Sequence, residues 1–503
     1  MAIPDYVKTI IAKFEKAGFE AYIVGGCVRD LLMEKKPKDW DITTNARPEQ
    51  TLKVFPEGKY ENEFGTVLIP AKGMEKEKSG DSQPVTEVTT YRSERGYSDR
   101  RHPDTVLFED KLEKDLERRD FTVNAMAIGK NPGSQALNSK QIPNLKSQIP
   151  NDWCLIDLFG GSKDIKLKVI RAVGEPEDRF KEDALRMMRG IRFASQLGFS
   201  IEPKTERAIV KLAGSIKFIA NERIRDELKK ILESDRAYEG IALLYDTKLL
   251  QYIMPELLVG VDVKQDRHHV YTVYKHNLLS LKYCPSRDWR VRLAALLHDI
   301  GKPKTKKIIN GVATFYNHEY AGERITRKIL ARLKFSNEDT EKTTNLVRHH
   351  MFYYNVGEVT AASVRRLIRK VGRENLKDLI DLRIADRLGS GVPKAKPYKL
   401  RHLEYMMEKV QNDPVSVRDL KLNGDRMIAE LGFEPGPKMG AVLDVLLMEV
   451  IEDPALNEPE YLDRRALELK AEELAELRKK AKETIEEKRE EDDRKMKEEF
   501  WVK

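Results

Sequence analysis

The sequence predicts an α+β protein, with a head in which strands and helices mix and a helical remainder. Two observations carry this. Short β-rich runs, such as Thr66-Val67-Leu68-Ile69 and Val85 to Tyr91, fall before about residue 170. From about residue 178 the pattern turns helical and few segments are strand-like. The chain has 503 residues, enough for several domains. Charged residues are 35% and hydrophobic residues 40%, which predicts a soluble chain with a polar surface.

Residues 4–17 read as an amphipathic helix, with Tyr6, Val7, Ile10, Ile11 and Phe14 on one stripe. Ala21 to Val24 reads as a buried strand, and Gly25-Gly26 turns the chain into a helix from Val28 to Met33. Lys72 to Pro84 is charged and contains Gly, Ser and Pro, as surface loops do. Residues 131–151 form a polar insertion in a hairpin between Ala125-Met126-Ala127-Ile128 and Leu155-Ile156-Asp157-Leu158. Breaks fall at Pro255, from Val259 to Arg267, and from Gly389 to Pro397. Residues 459–503, almost wholly Glu, Lys, Arg, Ala and Leu, predict one long charged helix facing solvent. No apolar run approaches a membrane span, and residues 1–20 lack a secretory pattern. Cys27, Cys154 and Cys284 have no metal-like spacing. A cytoplasmic protein is expected. The formal charge of +8 permits a polyanionic partner.

The most informative residues are Asp39-Trp40-Asp41, just downstream of Gly25-Gly26-Cys27-Val28-Arg29-Asp30. On a strand, alternate residues point to one face. Two carboxylates converging there share hard cations such as Mg²⁺, which bridge to phosphates. Backbone N–H groups at the glycine turn, with Arg29 beside them, suit a triphosphate. A phosphate cradle followed by a metal-binding Asp-x-Asp is the layout of a nucleotidyltransferase. The order continues with Arg118-Arg119-Asp120-Phe121-Thr122-x-Asn124-Ala125-Met126-Ala127.

In this combination the chain resembles the class II tRNA nucleotidyltransferases and bacterial poly(A) polymerases, over most of residues 1–450. The resemblance implies a polymerase-β-like head. Asp39 and Asp41 would be its metal ligands, and Glu87, on a nearby strand, the best candidate for a third carboxylate. It puts Arg118 and Arg119 near phosphate and Asp120 and Asn124 near ribose. Gly96 to Asp104 resembles the flexible loop of CCA-adding enzymes. Asp157 to Gly161 and Asp164-Ile165 match the segment joining head to neck. Asn221 to Leu228 matches a further family motif, read as helix-stabilising and given no chemistry.

The phrase Glu182-Asp183-Ala184-Leu185-Arg186 carries a second signal. On a helix, Asp183 and Arg186 would share one face. Cytosine and adenine both present an exocyclic amino donor beside a ring-nitrogen acceptor. A carboxylate accepts from the first and a guanidinium donates to the second. Uracil and guanine place a carbonyl where the amino group would be. Glu-Asp-x-x-Arg is similar to the family motif that acts as this amino-acid template.

Seven of the nine histidines fall between residues 268 and 350. His276, then His298-Asp299 after the apolar Leu293 to Leu297, then Asp386 resemble the ligands of HD-superfamily phosphohydrolases. Two imidazoles and two carboxylates suit Mn²⁺, Fe²⁺, Co²⁺ or Ni²⁺. His318 and His349 are candidates for a second metal or for phosphate contact.

The predicted organisation is a nucleotidyltransferase head at 1–170, a helical neck at 171–261, an HD domain at 262–395 and a helical body and tail at 396–503. The predicted activity is addition of CCA, or part of it, to tRNA from CTP and ATP. Alternatives are poly(A) synthesis, A-only or CC-only addition, and an HD phosphohydrolase whose head binds RNA.

Overall fold

The computed structural model describes residues 3–480 apart from 63–64, 71–84, 96–104, 131–135, 139–148, 266–269, 353, 356–358 and 393. The loops expected at Lys72 to Pro84 and Gly96 to Asp104, most of the 131–151 insertion, and residues 481–503 therefore lie outside the described residues. The chain divides at Pro255/Glu256 into two compact units.

The first unit is built on an eight-stranded sheet. Its strands are β1 (Ala21–Val24), β2 (Asp41–Thr44), β3 (Lys59–Asn62), β4 (Thr66–Pro70), β5 (Val85–Thr90), β8 (Ala127–Lys130), β9 (Ala136–Asn138) and β10 (Trp153–Ile156), while β6 (Arg92–Arg95) and β7 (Thr105–Phe108) pair separately. The spatial order is β3-β4-β5-β2-β1-β8-β10-β9. Every pairing is antiparallel except that of β2 with β5. β1 is central and wholly buried, as its run Ala-Tyr-Ile-Val requires. The helix Asp5–Lys16 buries Val7, Ile10, Ile11 and Phe14 in the same core as Ile23, Val28 and Ile42. Each such side chain contributes about 1.5–3 kcal/mol on burial.

Downstream, the same unit is helical. Pro176–Glu182, Leu185–Leu197, Pro203–Leu212 and Asn221–Glu233 follow one another. Gly190 faces the Phe121 ring, where an added Cβ would lie 2.9 Å from the ring edge. The helix Leu185–Leu197 thus packs closely against the turn that carries Asp120.

The second unit is almost all helix. Thr272, Asp288 and Ser336 cap the helices Val273–Tyr283, Trp289–Leu297 and Asn337–His349 through their side chains. At the C-terminal end, Pro437–Glu452 and Pro459–Lys470 pack together. The expected single solvated tail helix is corrected here. The helix stops at Lys470, the chain turns, and Leu462, Ala466, Leu469 and Leu477 are fully buried in this core. Buried leucines among the charges explain the difference. Among the described residues, no helix is long and apolar enough to cross a membrane.

Candidate active sites

In the first unit, β1 ends at Val24 opposite Asp41, the first residue of β2. Gly25 then takes φ +81°, a conformation side-chain-bearing residues rarely adopt. The helix Gly26–Leu32 starts there, and no side chain caps it. A Cβ on Gly25 would stand 3.1 Å from Arg119 Nη1 and 3.5 Å from Asp41 Oδ2. The bare backbone, a carboxylate and a guanidinium therefore meet at one point. Trp40 is buried, while Asp39 is exposed in the bend before β2. Asp41 pairs in register with Glu87 on β5, so the two side chains share a face of the sheet.

The three carboxylates feel one another. Burial raises the Asp41 pKa; Arg119 opposes this and Asp39 adds to it. Burial raises that of Glu87, and Asp41, Glu61 and Asp39 add to it. Concentrated negative charge of this kind fits a divalent cation. The ligand oxygens are nonetheless spread. Among the described residues, groups of three within 4.8 Å of one another occur only in the second unit.

Arg118 and Arg119 are held by Asp115, a fully buried residue that the sequence reading missed. Its carboxylate accepts from Arg118 Nη2 at 2.7 Å and Arg119 Nη2 at 3.1 Å. The Asp115–Arg118–Arg119 spacing of three and four residues was the available signal. Asp120 is also buried, and its carboxylate accepts from Arg189 Nε at 2.7 Å. Arg29 donates to Asn124 Oδ1 at 2.8 Å and to Asp30 at 2.8 Å. Arg29, Arg189 and Arg192 all lie over the Phe193 ring, with Arg192 nearest at 4.2 Å from its centroid.

The expected placement of Asp183 and Arg186 on one helix face is corrected. Asp183 is extended, with φ −138° and ψ 108°, between Pro176–Glu182 and Leu185–Leu197. Its carboxylate accepts from Leu185 N at 2.9 Å and from Arg223 Nη2 at 2.7 Å. Arg186 instead pairs with Glu182 and donates to the carbonyls of Arg179 and Arg118. The competing backbone bond at Leu185 explains the break. Asn221 to Leu228, given no chemistry from sequence, thus supplies in Arg223 the residue that orients Asp183.

The second unit assembles its site through two glycines. An added Cβ on Gly389 would fall 2.3 Å from Ser280 Oγ, so the helices Val273–Tyr283 and Leu376–Gly389 pack at close range. This brings His276 and Asp386 together. A Cβ on Gly301 would fall 2.0 Å from the His318 carbonyl oxygen. Only glycine there lets the helix His318–Arg332 approach Asp299.

Asp299 is the hinge of the cluster. Its Oδ2 lies 3.1 Å from His276 Nε2, 3.4 Å from His298 Nε2 and 2.6 Å from Lys302 Nζ. Its Oδ1 lies 3.2 Å from His318 Nε2 and 3.6 Å from His350 Nε2. Asp386 Oδ1 is 3.3 Å from His276 Nε2. The second pair therefore uses His350. The expected His349 is corrected: it ends the preceding helix and is absent from the groups that could hold a metal. Its neighbour's ring turns inward to donate to the Val347 carbonyl.

Backbone carbonyls fix the tautomers. Carbonyl oxygens only accept, so His298, His318 and His350 donate from Nδ1 to Ala295, Phe315 and Val347. Each Nε2 then carries a lone pair in the neutral ring. His276 Nε2 faces His298 Nε2 at 3.0 Å, and His318 Nε2 faces His350 Nε2 at 3.2 Å. In the His318/His350 pair the two facing lone pairs repel unless a cation or proton lies between them. Burial opposes ionisation of Asp299, but Lys302 and His298 hold its carboxyl well below the usual range. Burial would lower the His298 pKa, yet Asp299 and Asp386 raise it to about 10. Burial leaves His350 at about 4. The donor set of imidazoles and a bridging carboxylate fits one or two transition-metal ions.

Comparison with known proteins matches a known domain to each of the two regions. The poly(A) polymerase head-domain model matches residues 21–171, a probable RNA- and SrmB-binding region of polymerase A matches 198–259, and the HD domain matches 269–390. The A-adding tRNA nucleotidyltransferase of Deinococcus radiodurans is 33% identical over 85% of this chain and 90% of that protein. The chain belongs to the tRNA nucleotidyltransferase family. The CCA-adding enzyme of Leuconostoc mesenteroides is 30% identical over 91% of this chain and 95% of its own. The Bacillus stearothermophilus CCA-adding enzyme, solved with CTP, matches with TM-score 0.64 and 26% identity over 92% of this chain and 96% of that one. The expected α+β head and helical body are those of this tRNA nucleotidyltransferase fold.

Proposed function

We propose that this chain adds CCA to tRNA 3′ ends, using CTP and ATP and no nucleic-acid template. The observation that carries the reading is the in-register pairing of Asp41 with Glu87 beside the Gly25 turn and Arg119. Asp39, Asp41 and Glu87 would hold Mg²⁺, which when bound eases deprotonation of the RNA 3′-hydroxyl and neutralises the pyrophosphate leaving group. Gly25, Gly26, Arg29, Arg118 and Arg119 bind the triphosphate. Asp120 and Asn124, held by Arg189 and Arg29, line the ribose side. Asp183 accepts from the amino group of cytosine or adenine, and Arg186 donates to the ring nitrogen. The CTP complex of the Bacillus relative supports the choice of nucleotide.

A-only addition is the second reading, because the Deinococcus relative is an A-adding enzyme. The test is incubation with tRNAs ending before CCA, after C and after CC, with CTP and ATP separately and together. Full CCA on the shortest tRNA supports the first reading. Extension only of the tRNA ending in CC supports the second.

The HD centre is proposed as a metal-dependent phosphohydrolase acting on 2′,3′-cyclic phosphates or phosphomonoesters at RNA ends. His276, His298, Asp299 and Asp386 would hold one metal ion, and His318, His350 and Asp299 a second, drawn from Mn²⁺, Fe²⁺, Co²⁺ and Ni²⁺. Asp299→Ala removes metal and hydrolysis together in this reading, while nucleotide addition persists. The domain division at 1–170, 171–261, 262–395 and 396–503 and a cytoplasmic location complete the proposal.

A further inference from the structure

Beside the HD centre, the helix Leu376–Gly389 presents two arginines that flank the metal-ligating Asp386. Arg383 and Arg387 are four residues apart, so they rise from one helix face about 5–6 Å apart at Cβ. Arg383 Nη1 donates to Asp386 Oδ2 at 2.8 Å, on the oxygen opposite the one facing His276. The Phe352 ring backs the Arg383 guanidinium at 5.6 Å. Arg383 is therefore fixed, and it already supplies the hydrogen bond that orients Asp386.

Arg387 has no such task. It is half-buried, and it lies within Coulomb reach of both Arg383 and Asp386. Its Nε is shielded from solvent without a hydrogen-bond partner, and among the described residues it forms no ion pair. Like charges four residues apart on a helix destabilise one another. Half-burial weakens the screening that would relieve this. An anion between the two guanidiniums would reverse the sign, since planar guanidinium forks match phosphate oxygens.

We propose that Arg383 and Arg387 form a second anion subsite of the HD centre, which holds the internucleotide phosphate adjoining the terminal phosphate that is hydrolysed. The proposal rests on the reading of that centre as a phosphohydrolase, and it narrows the substrate class to RNA 3′ ends over free mononucleotides. In the reaction itself one water adds to phosphorus. One P–O ester bond of the 2′,3′-cyclic diester breaks, and the leaving alkoxide takes a proton. A mononucleoside 2′,3′-cyclic phosphate offers only the reacting phosphate. A dinucleotide ending in the same group offers the second.

The experiment compares kcat/KM of the full chain, loaded with Mn²⁺, on these two substrates, for wild type, Arg387→Gln and Arg387→Lys. Wild type is expected to favour the dinucleotide at least tenfold. Arg387→Gln should bring that ratio to within about twofold of one, mainly through KM, and Arg387→Lys should restore part of it. Metal content, measured by elemental analysis, should be that of wild type. Calorimetry on EDTA-treated protein reads the same contact without turnover. A dinucleotide 3′-phosphate should bind more tightly than a mononucleotide 3′-phosphate, and Arg387→Gln should lose the difference. An equal rate on both substrates in wild type overturns the proposal and leaves the phosphohydrolase reading standing. Loss of metal in Arg387→Gln also overturns it, in favour of a ligand-positioning role. Wild type inert on both substrates, yet active in nucleotide addition, overturns the phosphohydrolase reading and the proposal with it.

Discussion

Replacing Asp183 by alanine should erode the choice of CTP and ATP over UTP and GTP more than it weakens triphosphate binding. The carboxylate is held by the Leu185 N–H at 2.9 Å and by Arg223 Nη2 at 2.7 Å, and its side chain is 13% exposed. A hydrogen bond to a charged group contributes about 1.5–3 kcal/mol. At 1.36 kcal/mol per decade, that is a loss of roughly 10- to 150-fold in discrimination. Arg223→Ala leaves the acceptor in place but loosens its aim, so its expected loss is smaller, on the order of tenfold. Because both act through one carboxylate, the double variant should be no worse than Asp183→Ala alone. The assay is single-turnover incorporation of each of the four triphosphates into a tRNA lacking CCA. Additive losses in the double variant would refute the orienting role of Arg223. An unchanged pattern of preference in Asp183→Ala would refute the template itself.

Asp41→Ala should cut nucleotide incorporation more than about 100-fold, without lowering the melting temperature, because burial and Asp39 already disfavour the Asp41 charge in the fold. Near-normal incorporation, read by gel extension, would contradict this. His350→Ala should lower metal content from about two ions per chain to about one, whereas His349→Ala should keep both; elemental analysis separates the two, and the reverse pattern would restore His349. Asp115 should make the first unit sensitive to acid. Burial opposes its charge, but Arg118 and Arg119 hold its folded pKa below the unfolded value of about 3.9. The unfolded chain therefore takes up the proton first, and this stabilisation, present above pH ~4, is lost as pH falls through the folded value. Asp115→Asn should lack that slope and cost about 3–5 kcal/mol at pH 7, since two arginines lose their partner. Melting curves from pH 7 to 3 would show an equal slope in both proteins if the reasoning fails.

Local chemistry made much of this legible in the sequence. Ala21 to Val24 and Gly25-Gly26 announce a strand and a turn because these signals act over a few residues. The strand alternation expected of Asp39-Trp40-Asp41 fails, since β2 begins only at Asp41 and Asp39 lies in the bend before it. His276, His298, Asp299 and Asp386 were readable as an ordered set. Contacts across the chain were not. Arg223 reaches Asp183 from 40 residues away, and Arg189 reaches Asp120 from 69. His349 and His350 are adjacent in sequence, and only the helix end, with the Val347 carbonyl, decides which ring turns inward. The helix break at Asp183 depends on a side chain competing for the Leu185 N–H. The charged tail hid four small or aliphatic residues whose burial needs the partner helix Pro437–Glu452.

The most direct test of the central claim is extension of a tRNA that ends before CCA, with CTP and ATP supplied together and the product 3′ end sequenced. Addition of C, C and A and then arrest is the expected result, with Asp39→Ala inactive on the same substrate. No extension of that tRNA, or a long adenosine tract in place of CCA, would contradict it.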